Sequence, residues 1–156
     1  RRTTLGLEDA RVALLLAVLD RRSSIDLLSQ DVYAKASGGV RVAEPAADLG
    51  IALAIASSRL DKAVPADTAA VGEIGLGGEV RRISRLDVRL AEATRLGFKR
   101  LLVPAVCHRE HMDRVLGDGD SSKRSRAGKN QCELVPVSDV AQAIDWLIQN
   151  GLEGGP

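Results

Sequence analysis

Aromatic residues and long hydrophobic runs are scarce in this chain. Tyr, Phe and Trp occur once each, which is 2% of the 156 residues. So small a number argues against a carbohydrate-binding platform and against single-stranded nucleic acid held by base stacking. The longest apolar stretch runs from Val12 to Leu19, far shorter than the roughly 20 residues that span a bilayer. The core must therefore be built from Ala, Val, Leu and Ile, as in an ordinary globular domain.

Cysteine is also scarce, and neither sign of charge dominates. Cys107 and Cys132 are isolated, which fits a reducing compartment better than a disulfide framework. Lys and Arg total 22 against 21 Asp and Glu, so the net charge of +1 does not indicate a polyanion partner. A nucleic-acid interpretation must depend on where the charges lie. The chain does not begin with Met, and we expect a segment cut from a longer protein.

Hydrophobic periodicity predicts one domain of the α/β or α+β class over residues 1–150, followed by a disordered tail at 151–156. Apolar residues at helical spacing predict four helices, and short apolar or alternating runs predict five strands and one further short extended piece. The predicted helices lie near residues 12–19, 45–60, 86–96 and 140–148, the predicted strands at 31–37, 69–74, 79–83, 100–103 and 134–137, and the short extended piece at 40–42. The segment 117–130 has a single apolar residue, Ala127, and is predicted to be a flexible loop.

The glycine-rich stretch from Gly72 to Gly78 invites a comparison with phosphate-binding loops. It lacks the G-x-x-x-x-G-K-[ST] pattern, and no helix follows it directly to bind a phosphate at its N-terminus. We therefore predict a tight hairpin between two strands, and we do not expect this chain alone to hydrolyse ATP.

Two other groups of residues are weak candidates for a metal site and for a catalytic pair. His108 and His111 lie near Cys107, but neither C-x-x-C nor H-E-x-x-H is present, so a charged surface helix is favoured and no metal is predicted. Ser57 and Lys62 suggest a Ser/Lys pair, although they lie at an ordinary helix end.

Positive charge is concentrated between residues 79 and 109. Eight basic and three acidic residues give this segment a net charge of +5. Arg85 and Arg89 are one helical turn apart, and Arg81 and Arg82 lie on the strand that leads to them. Clustered guanidinium groups suit a phosphate backbone, and the alternative is an ordinary solvated face.

Three stretches resemble the C-terminal domain of the RadA (Sms) family of bacterial DNA-repair proteins. They are GLEDARVALLLAVLDRR at 6–22, GGVRVAEPAADLGIALAIASS at 38–58 and VGEIGLGGEVRRISRLDVRLAEATRLGFKRLLVP at 71–104. Together the matching region covers about two-thirds of the chain. That domain is in turn similar to the proteolytic domain of Lon, an α/β fold of small sheets packed with helices that assembles as a hexameric ring. The resemblance therefore implies this fold and a homo-oligomer.

The same resemblance implies a vestigial protease site. The D-G-P-S-A-G motif of Lon corresponds to residues 43–48, which places Ala46 at the nucleophilic serine. The G-G-L-K-E-K motif corresponds to residues 84–89, which places Asp87 at the lysine. A Ser/Lys dyad needs a hydroxyl to attack and an amine to accept its proton, and these two residues supply neither. We therefore expect no catalysis by this domain, and a working peptidase with a displaced dyad is the less favoured alternative.

For the parent protein, the resemblance implies two N-terminal domains, a zinc finger and a RecA-like ATPase that binds ATP and Mg²⁺. It implies no cofactor in the domain formed by this chain. It implies branch migration during recombination and repair, in a bacterial cytoplasm or alternatively in a mitochondrion or chloroplast. In the family fold the helices that begin near Pro45 and Leu86 meet at the vestigial site. We expect a basic group there to contact DNA phosphates, with two weaker candidates farther away. The main candidates are Arg41, Arg82, Arg85 and Arg89, and the weaker ones are Arg22 and Arg59. A ring scaffold that never contacts DNA is the alternative.

Overall fold

The computed structural model describes residues 1–117 and 131–154. The helices within these residues are α1 Asp9–Arg22, α2 Asp48–Leu60, α3 Leu86–Arg95, α4 Ala105–Gly117 and α5 Val140–Asn150. The strands are β1 Arg2–Leu5, β2 Val32–Lys35, β3 Lys62–Ala63, β4 Thr68–Ala70, β5 Glu73–Ile74, β6 Val80–Arg81, β7 Arg100–Pro104, β8 Glu133–Val137 and β9 Leu152–Glu153. A short 3₁₀ turn, Pro45–Ala47, leads directly into α2.

The strands form four small sheets. The largest has the order β4-β7-β8, with both neighbouring pairs parallel. Its central strand is buried, because residues 101–103 expose 2% of their surface or less, as expected of a parallel strand covered by helices. A second parallel pair joins β1 to β2, β5 and β6 form an antiparallel hairpin, and β3 pairs with β9. This arrangement confirms the mixed α/β class.

Two hydrophobic clusters hold the helices in place. The larger joins α1, α2 and α5 through fully buried leucines such as Leu16, Leu49 and Leu147. The smaller packs α3 and α4 against β7 through Leu90, Val103 and neighbouring residues. Burial of each large aliphatic side chain contributes about 1.5–3 kcal/mol, so these clusters fix how the starts of α2 and α3 are placed.

The end of the chain differs from the sequence prediction. Leu152–Glu153 pair in antiparallel fashion with Lys62–Ala63, so a disordered tail beginning at residue 151 was the wrong prediction for these residues. Gly117 is the last residue of α4, and the rest of the predicted 117–130 loop lies outside the described residues. Within the described ranges, no helix has the length and apolar character needed to cross a membrane.

Candidate nucleic-acid interface

The start of α2 is a buried turn that carries no nucleophile. Ala46, the residue at the position of the Lon serine, is 7% exposed and presents only a methyl group. Its carbonyl accepts a hydrogen bond from the Gly72 N–H at 2.8 Å, and the Leu49 N–H donates to the Gly72 carbonyl at 3.0 Å. These bonds divide the strand expected at 69–74 into β4 and β5, because Gly72 pairs with the α2 turn between them.

A buried ion pair lies directly behind this turn. Asp48 is 5% exposed, and its Oδ1 accepts a hydrogen bond from Arg11 Nη1 at 2.8 Å. Its Oδ2 accepts from the Ile74 N–H at 3.1 Å, so one carboxylate links α1, α2 and β5. This pair is not evident from the sequence. Acidic residues in the first turn of a helix are commonly exposed, and Arg11 is 37 residues away, so no local pattern identifies Asp48 as a buried, paired charge.

An ion pair brings the starts of α2 and α3 together. Arg89 on α3 pairs with Glu44, which immediately precedes the α2 turn, and its Nε donates to the Ser84 carbonyl at 2.9 Å. The Arg89 side chain is 24% exposed. The resemblance implied that the starts of α2 and α3 meet. They are in contact, and Arg89 is held in place between them.

Arg82 and Arg85 lie near Arg89 but differ in their contacts. Arg82 pairs with Glu110 on α4, and that hydrogen bond raises the pKa of the guanidinium above its ordinary value. Arg85 is exposed, has a left-handed backbone with φ of 57°, and makes no ion pair within the described residues. Arg85 is therefore available to an external anion, whereas Arg82 and Arg89 already have carboxylate partners.

The other candidates are dispersed. Arg82, Arg85 and Arg89 lie at or just before the start of α3 and are called the α3 arginines below. Arg41 is exposed just before the Leu7–Val42 bridge, and the described contacts do not join it to the α3 arginines. Arg22 lies at the end of α1 beside Gly78, where a Cβ would be 3.1 Å from its Cγ. Arg59 donates from Nε to the Asp26 carbonyl at 3.2 Å, at the far end of α2. The structure thus groups Arg82, Arg85 and Arg89, and it separates Arg59 from them.

A cavity of about 500 Å³ lies between the start of α3 and α4. Carboxylates and guanidiniums share its lining, which is Ile83, Arg85, Leu86, Asp87, Cys107, Glu110, Asp113 and Arg114. Nearby, burial lowers the pKa of His111, with Arg114 adding to the effect, so His111 is neutral at pH 7. The cavity therefore has mixed charge, and its positive character is weaker than the arginine count of the sequence suggests.

A larger cavity of about 730 Å³ lies between β2 and α2. Its lining is mostly apolar and includes Ile51, Ala54 and Ile55 of α2, with Arg59 among the polar residues. Arg41 and the three α3 arginines do not line it. Arg59 thus belongs to a different surface from the basic group at α3.

The described contacts do not assemble a displaced dyad. Ser57 Oγ donates to the Lys62 carbonyl at 2.6 Å, and Lys62 Nζ pairs with Glu153. Cys107 and Cys132 are buried, and burial raises the pKa of the Cys132 thiol. Among residues 1–117 and 131–154, no cluster of three or more His, Cys, Asp or Glu side chains is arranged to hold a metal ion.

Fold and site together define a mixed α/β domain with arginines gathered beside a turn that lacks a nucleophile. Comparison with known proteins identifies its relatives. The family model described as "Subunit ChlI of Mg-chelatase" matches residues 34–106. DNA repair protein RadA of Halalkalibacterium halodurans is 50% identical over 104 residues, which is 67% of this chain and 23% of that protein. RadA of Streptococcus pneumoniae is 48% identical over 104 residues, again 67% of this chain and 25% of that protein.

A longer alignment extends the relationship over nearly the whole chain. RadA of Aquifex aeolicus is 40% identical over 147 residues, which is 94% of this chain and 29% of that protein. The chain belongs to the RadA family, as the resemblance in its sequence predicts. It spans about a quarter of the length of these relatives.

Proposed function

We propose that this chain is a non-catalytic DNA-binding and oligomerisation domain of a RadA-like recombination and repair protein. The observation that carries the proposal is the group of arginines at the start of α3, beside a turn where Ala46 replaces the Lon serine. The relatives named as DNA repair proteins support a role in repair. Branch migration, ATP and Mg²⁺ binding and the zinc finger belong, in this proposal, to the parent protein and its other domains.

Phosphate is the ligand that this surface suits. Arg41 and Arg85 are exposed guanidiniums without ion partners among the described residues, and each presents several N–H donors to phosphate oxygens. Arg82 and Arg89 are paired with Glu110 and Glu44, so they contribute less to phosphate binding than the two unpaired arginines. Contacts of this kind do not read bases, so their contribution to affinity is independent of sequence and sensitive to salt.

The proposal that the domain is non-catalytic rests on side-chain chemistry. Ala46 has no hydroxyl, and Asp87, exposed in the first turn of α3, is an anion where Lon has an amine. Ser57 and Lys62 each have another partner, so they do not supply the missing dyad. Peptide hydrolysis is not expected of this chain.

A ring scaffold without DNA contact is the second candidate. The apolar cavity between β2 and α2 favours it, because β2 has no strand partner on that side among the described residues. An open strand edge beside apolar side chains suits a protein partner better than a polyanion. In the scaffold interpretation this surface contacts another copy of the chain, and DNA recognition belongs to other domains.

Replacing Arg41 and Arg85 with Ala tests the DNA-binding proposal. Each arginine that contacts a phosphate contributes about 0.9 to the slope of log affinity against log salt, so the double variant should lower the slope by about two. Affinity should fall by a similar factor for every duplex sequence. Fluorescence anisotropy with two unrelated duplexes at several salt concentrations measures both quantities.

Arg95→Ala is the matched control. Arg95 is an exposed arginine at the last turn of the same helix, paired with Glu92 three residues earlier. Its removal deletes one positive charge away from the α2 turn and should change the slope little. If Arg41→Ala/Arg85→Ala binds as well as the unmodified chain at low salt, the assignment of these two arginines is wrong.

A further inference from the structure

The β5–β6 hairpin presents one apolar side chain at its tip. Leu76 is 73% exposed, more than any other large hydrophobic residue in the described part of the chain. Glycines at positions 75, 77 and 78 surround it, so Leu76 is the only apolar side chain at the tip. The result is a projection that ends in an isobutyl group, with the Glu79 carboxylate beside it.

Hydrogen bonds fix the hairpin to the body of the domain. The Gly78 N–H donates to the Gly75 carbonyl at 2.9 Å and closes the turn. The Val140 N–H, at the start of α5, donates to the Gly78 carbonyl at 2.9 Å, and the Val80 N–H donates to the Ser138 carbonyl at 2.8 Å. The tip is therefore rigid, and contact with a partner costs little conformational entropy.

The Glu79 carboxylate completes the turn. It occupies the space beside Gly75 and Gly77, where added Cβ atoms would lie 1.8 Å and 2.8 Å from its oxygens. Hydrogen bonds from its own backbone N–H and from Arg81 lower the pKa of Glu79. The ion pair with Arg81 offsets only part of the negative charge that this carboxylate places beside the tip.

Arginines flank the tip. Arg21 and Arg22 end α1, with the Arg22 side chain beside Gly78, and neither forms an ion pair in the described ranges. Arg81 follows on β6 and forms an exposed ion pair with Glu79, with 3.2 Å between Arg81 Nε and Glu79 Oε1. The other nearby carboxylate, Asp139, accepts a hydrogen bond from the Gln142 N–H and caps α5. Positive charge around the tip is therefore only partly neutralised.

We propose that Leu76 is a wedge that inserts between neighbouring base pairs of duplex DNA, while Arg22 and Arg81 contact the flanking phosphates. This inference rests on the proposed DNA-binding function and adds a second contact point to the α3 arginines. Inserted apolar side chains partly unstack a base step and bend the duplex, and arginines beside the wedge offset that cost. Flexible pyrimidine–purine steps such as TA unstack most easily and are the preferred sites.

The experiment uses the whole 156-residue chain and a duplex with 2-aminopurine at a central TA step. Fluorescence of the base rises when it unstacks, so binding of the unmodified chain should increase it several-fold. Leu76→Ala should abolish that increase and weaken binding roughly tenfold while leaving the salt slope unchanged, because no charge is removed. Leu28→Ala, which truncates another exposed leucine, is the control and should behave like the unmodified chain.

The outcomes separate this inference from the proposed function. If the unmodified chain binds DNA and Leu76→Ala leaves the 2-aminopurine signal unchanged, the wedge is wrong and DNA binding stands. If the unmodified chain binds no DNA at low salt, the proposed function itself fails. If Leu76→Ala instead lowers the mass measured by light scattering with an unchanged DNA signal, the tip contacts another copy of the chain, which also overturns the wedge.

Discussion

At the scale of single residues, Asp48 has the most distinctive environment in the described structure. Its carboxylate is buried, faces the Arg11 guanidinium at 2.8 Å and accepts the Ile74 N–H. Arg11 Nε is buried without a hydrogen-bond partner, so the Asp48 carboxylate is the main group that compensates for burial of the Arg11 guanidinium. In the alignment with the Lon motif, Asp48 takes the place of the final glycine. The Asp48–Arg11 ion pair thus lies at the position where the Lon pattern has a glycine.

Asp48→Ala should therefore destabilise the domain strongly. The variant leaves the partly buried Arg11 guanidinium without its carboxylate partner and the Ile74 N–H without an acceptor, a loss of about 3–5 kcal/mol in the free energy of unfolding. Urea denaturation followed by circular dichroism measures it. Glu92→Gln removes one partner of an exposed ion pair on α3 and should change stability little. Equal stability of the two variants would show that the Asp48 pair is not structural.

At the scale of elements, the turn between β1 and α1 controls where the Arg41 segment lies. Gly6 has a left-handed backbone with φ of 75°, and its carbonyl accepts the Val42 N–H at 2.8 Å. A Cβ at Gly6 would be 2.5 Å from the Val40 carbonyl oxygen, which is backbone and cannot rotate away. Glycine is thus required at this junction for two separate reasons.

Gly6→Ala and Gly38→Ala separate those reasons. Gly38 also has a left-handed backbone, with φ of 79°, but an added Cβ meets nothing within 4 Å. Gly38→Ala should lower the free energy of unfolding by about 1 kcal/mol from backbone strain alone, and Gly6→Ala by about 3 kcal/mol. Thermal or urea denaturation provides both values. Similar losses of stability in the two variants would mean that a small backbone shift relieves the contact with Val40.

Sequence periodicity predicted most elements, because their signals are local. Helices α1, α2, α3 and α5 follow apolar spacing, and the glycines predicted the β5–β6 hairpin. The two-residue β3–β9 pair was missed, because it joins positions about 90 residues apart and has no local pattern. The start of α3 has no side-chain cap. Arg85 takes the cap position with a left-handed backbone, and Arg89 binds the Ser84 carbonyl instead.

The candidate site was predictable only in part. The contact between the α2 and α3 starts came from the resemblance to Lon, since the Glu44–Arg89 pair is 45 residues apart and no spacing rule links it. The sequence also overstated the free positive charge, because carboxylates on other elements neutralise Arg82 and Arg89. Long-range ion pairs of this kind depend on tertiary packing and have no signature in a charge count.

At the scale of the whole molecule, the proposed binding of a polyanion must overcome a nearly neutral net charge. The net charge is +1, so long-range attraction is weak and the contribution must come from local arginine groups. Those groups lie at the start of α3 and around the hairpin tip. In a ring, each group repeats in every subunit, and several weak phosphate contacts combine through their high effective concentration.

DNA binding by this 156-residue chain, measured with light scattering on the same sample, distinguishes the DNA-binding proposal from the ring scaffold. The DNA-binding proposal expects a particle with the mass of a ring. With phosphate contacts from Arg22, Arg41, Arg81 and Arg85, its affinity should fall roughly 100-fold between about 50 and about 200 mM salt. A ring-sized particle that does not bind DNA even at the lower salt concentration would contradict the account. The domain would then be a scaffold, with DNA recognition in the other parts of its parent protein.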